Sequence, residues 1–228
     1  MYWYYSYILI IIAIIISAIA SIYLESTYSK YGMISSNNRM TAEACAFSIL
    51  SNAGVTDVSI QRVEGELTDH YSPSEKVLRL SASVYGSTSV AAIGVAAHEC
   101  GHAIQDEEGY MPLKLRTASV PIANIGSTLS WILVTIGFAF DILGLARVGV
   151  LIFIFVVIFQ LITLPVELDA SRRALIAIEE NNLLSGSELE GAGKVLKAAA
   201  LTYVAALVSS TLELLRLVIL TRGGKRKG

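Results

Sequence analysis

The chain has 228 residues, 54% of them hydrophobic and 16% charged, and its mean hydropathy of +0.61 is too high for an ordinary soluble domain. A formal net charge of -2 gives no electrostatic basis for nucleic acid as a partner. Two cysteines, Cys45 and Cys100, make no CxxC pair and exclude a disulfide framework.

In chain order, the first element is an apolar run over about residues 7–24, with an unbroken stretch from Ile8 to Ile16. Its length matches a hydrocarbon core. It lacks a basic n-region and a small-residue cleavage site, which favours a retained anchor over a signal peptide. A more polar segment follows, about residues 25–117. Within it Thr41 is placed to cap a helix over residues 42–52 that Gly54 ends. Val55, Ile60 and Val63 among polar neighbours suggest a strand. Asp69 to Ser74 reads as a turn leading to a second strand over residues 76–81. Ser87 or Ser89 can cap the next helix, which should run to about Gln105 before Asp106-Glu107-Glu108-Gly109 stops it.

Two further apolar stretches, about residues 119–140 and 148–166, are separated by a short link over 141–147 and predict a helical hairpin in the membrane. Pro165 then suits the first turn of a new helix carrying Glu167, Asp169, Arg172 and Arg173. Ser187-Glu188-Leu189-Glu190 has the form of a capping box that starts the final helix. Within it, residues 198–220 are apolar enough to span or lie in the membrane, although Glu213 and Arg216 interrupt them. Those two charges stand i, i+3 and can pair on one helix face. The basic run Arg222 to Lys227 suits an anionic cytoplasmic surface.

The feature that carries chemistry is His98-Glu99-Cys100-Gly101-His102, an HExxH motif embedded in small apolar residues. Residues four apart on a helix share one face, so His98 and His102 can offer two imidazole nitrogens to one metal. Glu99 lies beside them and can take a proton from a water activated by zinc. Only three histidines occur in the chain, and two are here. Cys100 is offset from the ligand face and reads as a packing residue.

Two histidines leave a catalytic zinc one protein ligand short, and a glutamate from a later helix often fills the place. Glu167 is the candidate, with Asp169 in reserve or as a hydrogen-bonding partner of a ligand. The residues Ala96 to Gln105, the upstream Asp69-His70-Tyr71-Ser72-Pro73 with Leu78-Arg79-Leu80-Ser81, and the downstream Leu164 to Ala174 together resemble the YugP-type membrane zinc metallopeptidases of bacteria. The resemblance covers nearly the whole chain. It implies a membrane-anchored neutral zinc endopeptidase acting on peptide or protein substrates, distantly similar to the HtpX-type and CAAX prenyl protease gluzincins. In those relatives the glutamate ligand opens an ExxxD pattern; Glu167 matches its first position and Ser171 stands where the aspartate would be. His70 and Arg172 are candidate contacts to the substrate or the oxyanion. The strand over 77–81 resembles an edge strand along which such peptidases align an extended peptide.

The expected fold is a mainly α integral membrane protein, with transmembrane helices and a small zincin-like α+β catalytic domain containing a short strand element. The expected divisions are an anchor over 1–24, a catalytic part with the motif helix over 25–117, a hairpin over 118–166, a third-ligand helix and connection over 167–197, and a membrane-associated helix with its basic tail over 198–228. Glu167 follows the third span almost at once, so the zinc is expected near the bilayer interface. Lys30 and Arg39 follow the first span while no Lys or Arg precedes it, which favours a cytoplasmic catalytic part. The basic tail prefers the same side, which agrees only if the last helix is interfacial or re-entrant. Two other classes of function fit parts of the sequence: a membrane scaffold whose zinc is structural, needing a fourth protein ligand such as Cys100 or His70, and a transporter built around Glu213 and Arg216.

Overall fold

A computed structural model describes residues 2–223. Among these residues, seven helices and three strands follow in the order α1 (Tyr2–Gly32), α2 (Ala42–Asn52), β1 (Ser59–Val63), β2 (His70–Ser72), β3 (Val77–Ser81), α3 (Ala82–Tyr85), α4 (Val90–Glu107), α5 (Met111–Ala139), α6 (Leu143–Glu180) and α7 (Ser187–Gly223). Among the described residues, four helical stretches are long and apolar enough to cross a membrane: Ser6–Gly32, Met111–Ala139, Leu143–Glu180 and Ser187–Arg222. The chain divides into two compact units, each assembled from separate stretches of sequence.

One unit comprises Met1–Ser21, Leu115–Leu164 and Thr202–Gly228. Its α5 and α6 form the expected hairpin, and the connection is tighter than the sequence suggests, because Asp141 turns the chain with φ 57 and α6 restarts at Leu143. Glycines let these helices approach: a Cβ on Gly137 would lie 2.5 Å from the amide nitrogen of Ala146, and one on Gly149 would lie 2.9 Å from the carbonyl oxygen of Ser130. Such close backbone approach is how helices gain dispersion energy where lipid removes the hydrophobic drive between them. Ser130 donates its hydroxyl to the Gly149 carbonyl at 2.8 Å. Val134, Val150, Phe153, Val157 and Leu217 form the apolar centre, and Ile11, Ile14, Ile122, Ile125 and Leu151 are exposed, as residues facing acyl chains would be. The hydroxyls of Ser17 and Ser209 hydrogen bond at 3.0 Å. Arg216 donates to Glu213 at 2.7 Å, the i, i+3 pairing expected from their spacing.

The other unit comprises Ile22–Lys114 and Pro165–Leu201. Thr41 caps α2 by accepting from the Ala44 N–H at 3.2 Å, and Gly54 leaves it with φ 75. Ser89 caps α4 by accepting from the Ala92 N–H at 3.2 Å. The start of α4 is further fixed by an antiparallel bridge between Ser35 and Ser89 and by the Val90 N–H donating to the Ile34 carbonyl at 2.8 Å. Helix α4 passes through the core, with Val90, Ala91, Ala92, Ile93, Ala96, Ala97 and Cys100 fully buried. Small side chains on so much of one helix bring neighbouring backbones close. A Cβ on Gly101 would sit 2.4 Å from the carbonyl oxygen of Ala170 in α6, and Gly94 lies against Ala192 in α7. Ile49, Leu78, Leu80, Val84, Ile178 and Val195 complete the cluster.

The sheet has the order β1-β3-β2, with β1 parallel and β2 antiparallel to β3. Three expectations change here. The stretch from Asp69 to Ser74 is not simply a turn, since His70–Ser72 pairs with β3 and the turn is confined to the residues up to Lys76, whose φ is 53. Strand β3 is therefore central and buried, and the edges are β1 and β2. Pro165 does not open a new helix: α6 runs through it without a break. Proline removes only one backbone donor, and Val166, Ala170, Ala174 and Ile178 continue a buried face of the helix beyond it. The start of α7 also differs, because the Glu188 and Glu190 N–H groups are taken by the carbonyls of Ser185 and Gly186, while Glu188 accepts instead from the Asn37 N–H at 2.8 Å. The basic tail beyond Gly223 lies outside the described residues.

Candidate metal centre

Helix α4 places His98 and His102 one turn apart, and α6 brings Glu167 between them. Glu167 Oε2 stands 3.1 Å from His98 Nε2 and 3.5 Å from His102 Nε2. The three donor atoms all lie within 4.8 Å of one another. Glu167 is 1% exposed, an unusual place for a carboxylate whose facing partners are two imidazoles rather than a lysine or arginine.

The spacing tests whether the site fits zinc. Two nitrogen or oxygen donors bonded at about 2.0–2.1 Å to one tetrahedral ion are separated by roughly 3.3 Å. The two observed histidine-to-glutamate separations bracket that value. Two neutral imidazoles and one carboxylate are also a donor set that zinc takes readily.

Both histidines are held at their other ring nitrogen. His98 Nδ1 hydrogen bonds with Ser171 Oγ at 3.1 Å, and His102 Nδ1 with Gln105 Oε1 at 3.0 Å. Ser171 occupies the place that the ExxxD pattern gives to aspartate, and here the hydroxyl supplies a polar contact to the first histidine. Asp169 points away from the three donors. It accepts from Gln105 Nε2 at 2.9 Å and pairs with Arg172 and Arg173. Arg173 also pairs with Glu108 at 2.7 Å.

Glu99 faces the sheet. Its Oε2 accepts from the backbone N–H of Tyr71 in β2 at 2.9 Å, while the Tyr71 hydroxyl donates to Asp106 at 2.9 Å. Lys76 pairs with Asp106 at 3.0 Å. Burial raises the Glu99 pKa above the ordinary carboxylate value, with His98 opposing and Glu167 and Asp69 adding to the rise. A raised carboxylate is better matched to accepting a proton near neutrality.

His70 stands on the exposed edge strand with Nδ1 2.8 Å from the Thr68 carbonyl and Nε2 3.5 Å from Arg79, so these contacts do not join it to the three donors. Cys100 is fully buried with its sulfur 3.6 Å from the Ala46 carbonyl, a packing position. Burial raises its thiol pKa well above the usual value. Among the described residues, the group of three that could hold a metal ion is His98, His102 and Glu167, and neither Cys100 nor His70 belongs to it. Sequence reasoning missed Tyr71, whose role is carried by its backbone, and Gln105, which stands i, i+3 from His102 on the same helix face.

Residues 6–222 match the model of the family described as "Putative neutral zinc metallopeptidase". The chain belongs to this family. Zinc is accordingly its cofactor. The chain is also 42% identical over 217 residues to the "Putative membrane protease YugP" of Bacillus subtilis (strain 168), a match that covers 95% of this chain and 96% of that protein. No solved structure matches the chain. The four apolar helices are consistent with a zinc metallopeptidase family seated in a membrane.

Proposed function

We propose that the protein is a membrane-embedded zinc endopeptidase in which His98, His102 and Glu167 hold the metal and Glu99 is the general base. The single observation that carries the reading is the convergence of Glu167 on both histidine Nε2 atoms, at 3.1 and 3.5 Å, from a different helix. Zinc, when bound, supplies Lewis acidity that polarises a carbonyl and makes water nucleophilic near neutral pH. Glu99 takes the proton from that water and can return it to the leaving amine. The Tyr71 N–H holds the Glu99 carboxylate in place through Oε2, and the other oxygen would take the proton. Three protein donors leave the fourth position for chemistry, which favours a catalytic over a structural site.

The substrate is read as an extended peptide. With β3 central, the strand bordering the site is β2, and its Tyr71 N–H points outward to Glu99 rather than into the sheet. His70, exposed on that strand, and Arg172, beside Ser171, are proposed substrate or oxyanion contacts. Residues 25–117 and 167–197 form the zincin-like peptidase part in this reading, with 1–24, 118–166 and 198–228 in or at the membrane; the compact unit of Ile22–Lys114 and Pro165–Leu201 supports the division. Because α6 carries both an apolar span and Glu167, the favoured targets are membrane proteins or peptides cut near their membrane ends. Equal cleavage rates for soluble and membrane-tethered versions of one peptide would count against that preference. Lys30 in the last turn of α1 and Arg39 beyond it support a cytoplasmic peptidase part, and impermeant labelling of a cysteine placed at Leu67 would report the side.

The deciding experiment uses the detergent-purified chain, measuring zinc content and cleavage of an unstructured protein such as casein. About one zinc per chain is expected, with internal cleavage products, and Glu99→Gln should keep the metal while losing roughly 10²–10⁴-fold in rate. Undiminished hydrolysis by Glu99→Gln, or no zinc uptake, would overturn the assignment.

A further inference from the structure

Gln105 is fully buried on α4, one helical turn beyond His102. Its side-chain amide is engaged on three sides. Nε2 lies 2.9 Å from the carbonyl oxygen of Val166 and 2.9 Å from Oδ2 of Asp169, and Oε1 lies 3.0 Å from Nδ1 of His102. A backbone carbonyl only accepts, and so does a carboxylate held beside two guanidinium groups, so both of the first contacts require the NH₂ end of the amide. The oxygen end must then face the imidazole. An amide oxygen donates nothing, so the hydrogen in the third contact belongs to Nδ1 of His102.

That chain of necessity reaches the metal site. With Nδ1 committed as the donor, Nε2 is the nitrogen that faces Glu167, at 3.5 Å. Val166 immediately precedes Glu167, so the same amide fixes the backbone that carries the third donor. Asp169 is itself clamped by Arg172 and Arg173, and Arg173 reaches back to Glu108 at the end of α4. The ring of contacts runs from α4 to α6 and returns to α4.

We propose that Gln105 is a positioning residue that holds His102 in the Nδ1–H tautomer and locks the motif helix to the turn of α6 bearing Glu167, so that both present their donors to one zinc. The proposal rests on the reading of His98, His102 and Glu167 as zinc ligands. A buried glutamine can also serve stability alone. Stability alone, however, does not dictate which nitrogen of His102 carries the hydrogen or how tightly zinc binds.

The test has two arms on the full chain in detergent. Selective ¹⁵N-histidine labelling of the zinc-loaded protein, which has only three histidines, should show His102 bound through Nε2 with its hydrogen on Nδ1. Zinc bound through Nδ1 of His102 would overturn the proposal, and this arm needs no variant. In the second arm, competition with a chelator should show zinc affinity about 10–100-fold weaker in Gln105→Met. A folded Gln105→Met that binds zinc within about twofold of the parent would equally overturn it, since loss of an outer hydrogen-bond partner of a metal ligand costs more than that. His98→Ala separates the two readings: retention of zinc there defeats the ligand assignment itself, whereas its loss beside an unaffected Gln105→Met defeats only the role of Gln105.

Discussion

The backbone N–H of Tyr71 donates to Glu99 Oε2 at 2.9 Å, and the hydroxyl of the same residue donates to Asp106 two helical turns along α4. One edge residue thus fixes the motif helix at two points, through main chain at Glu99 and through side chain at Asp106. Tyr71→Phe should therefore leave the Glu99 contact intact and lose the Asp106 anchor, which still has Lys76. A stability loss of about 0.5–1.5 kcal/mol is expected, with peptidase activity largely kept. Denaturant unfolding beside a rate assay would check this; a collapse in rate with unchanged stability would contradict it.

Removal of a proposed metal donor should act on zinc before it acts on anything else. His98→Ala and Glu167→Gln are each expected to weaken zinc binding by more than about 100-fold, beyond what loss of an outer partner costs. Glu167→Gln also retains the shape of the side chain, so the metal-free protein should stay folded. Zinc titration against a chelator gives the answer, and parent-like affinity in Glu167→Gln would remove Glu167 from the ligand set.

Metal removal should itself be destabilising. Zinc binds the folded site and not the dispersed donors, so saturation at about 100 times the dissociation constant stabilises by about 2.7 kcal/mol. Acid should release it, because both imidazoles must be unprotonated to bind. A thermal midpoint that does not rise with added zinc would argue that the three donors are not a metal site.

Gly101 is the residue on which the approach of the two donor-bearing helices depends. A Cβ there would lie 2.4 Å from the Ala170 carbonyl oxygen and 3.0 Å from its carbonyl carbon, and backbone cannot step aside as a flexible side chain can. Gly101→Ala should cost about 1–3 kcal/mol through overpacking. It should also weaken zinc binding, since α6 cannot retreat without taking Glu167 with it. An alanine variant as stable and as zinc-avid as the parent would refute the close approach.

The buried thiols give a pH signature. Burial pushes the Cys45 pKa up to about 11 and the Cys100 pKa well above its usual value, whereas an unfolded thiol titrates near about 8.5. Above that pH the unfolded chain holds fewer protons than the folded one, so stability falls as pH rises from about 8.5 towards about 11, by up to about 1.4 kcal/mol per pH unit for each thiol. Below about 8.5 the thiols contribute no pH dependence. Unfolding curves for the parent and for a Cys45→Ala, Cys100→Ala double variant should diverge across that alkaline window, and parallel curves would show that the thiols do not titrate as described.

The legible parts of this protein are those written in local chemistry. The HExxH spacing, the caps at Thr41 and Ser89, the apolar spans and the pairing of Glu213 with Arg216 all depend on residues a turn or two apart. Glu167 is a candidate from donor counting alone, and its approach to both histidines is long-range. The three-residue strand β2 was hidden because so short a segment, followed by proline, carries turn chemistry and no periodicity. Once β2 is an edge, β3 cannot be one, so one missed strand also misplaced the border of the site. Pro165 misled in the same way: a local rule for helix starts yielded to the continuous apolar face on either side of it.

The compact unit holding the three donors is interrupted in sequence by Leu115–Leu164, which has a consequence for how the protein is made. Synthesis delivers His98 and His102 first, and Glu167 follows 69 residues after His98, only when the whole hairpin has been translated. A nascent chain halted before that point carries the motif without its third donor. With the proposed ligand set, the metal site is thus completed only after the hairpin has been translated and before the last apolar helix, Ser187–Arg222, is made, and a truncated product ending in the hairpin lacks one proposed metal ligand.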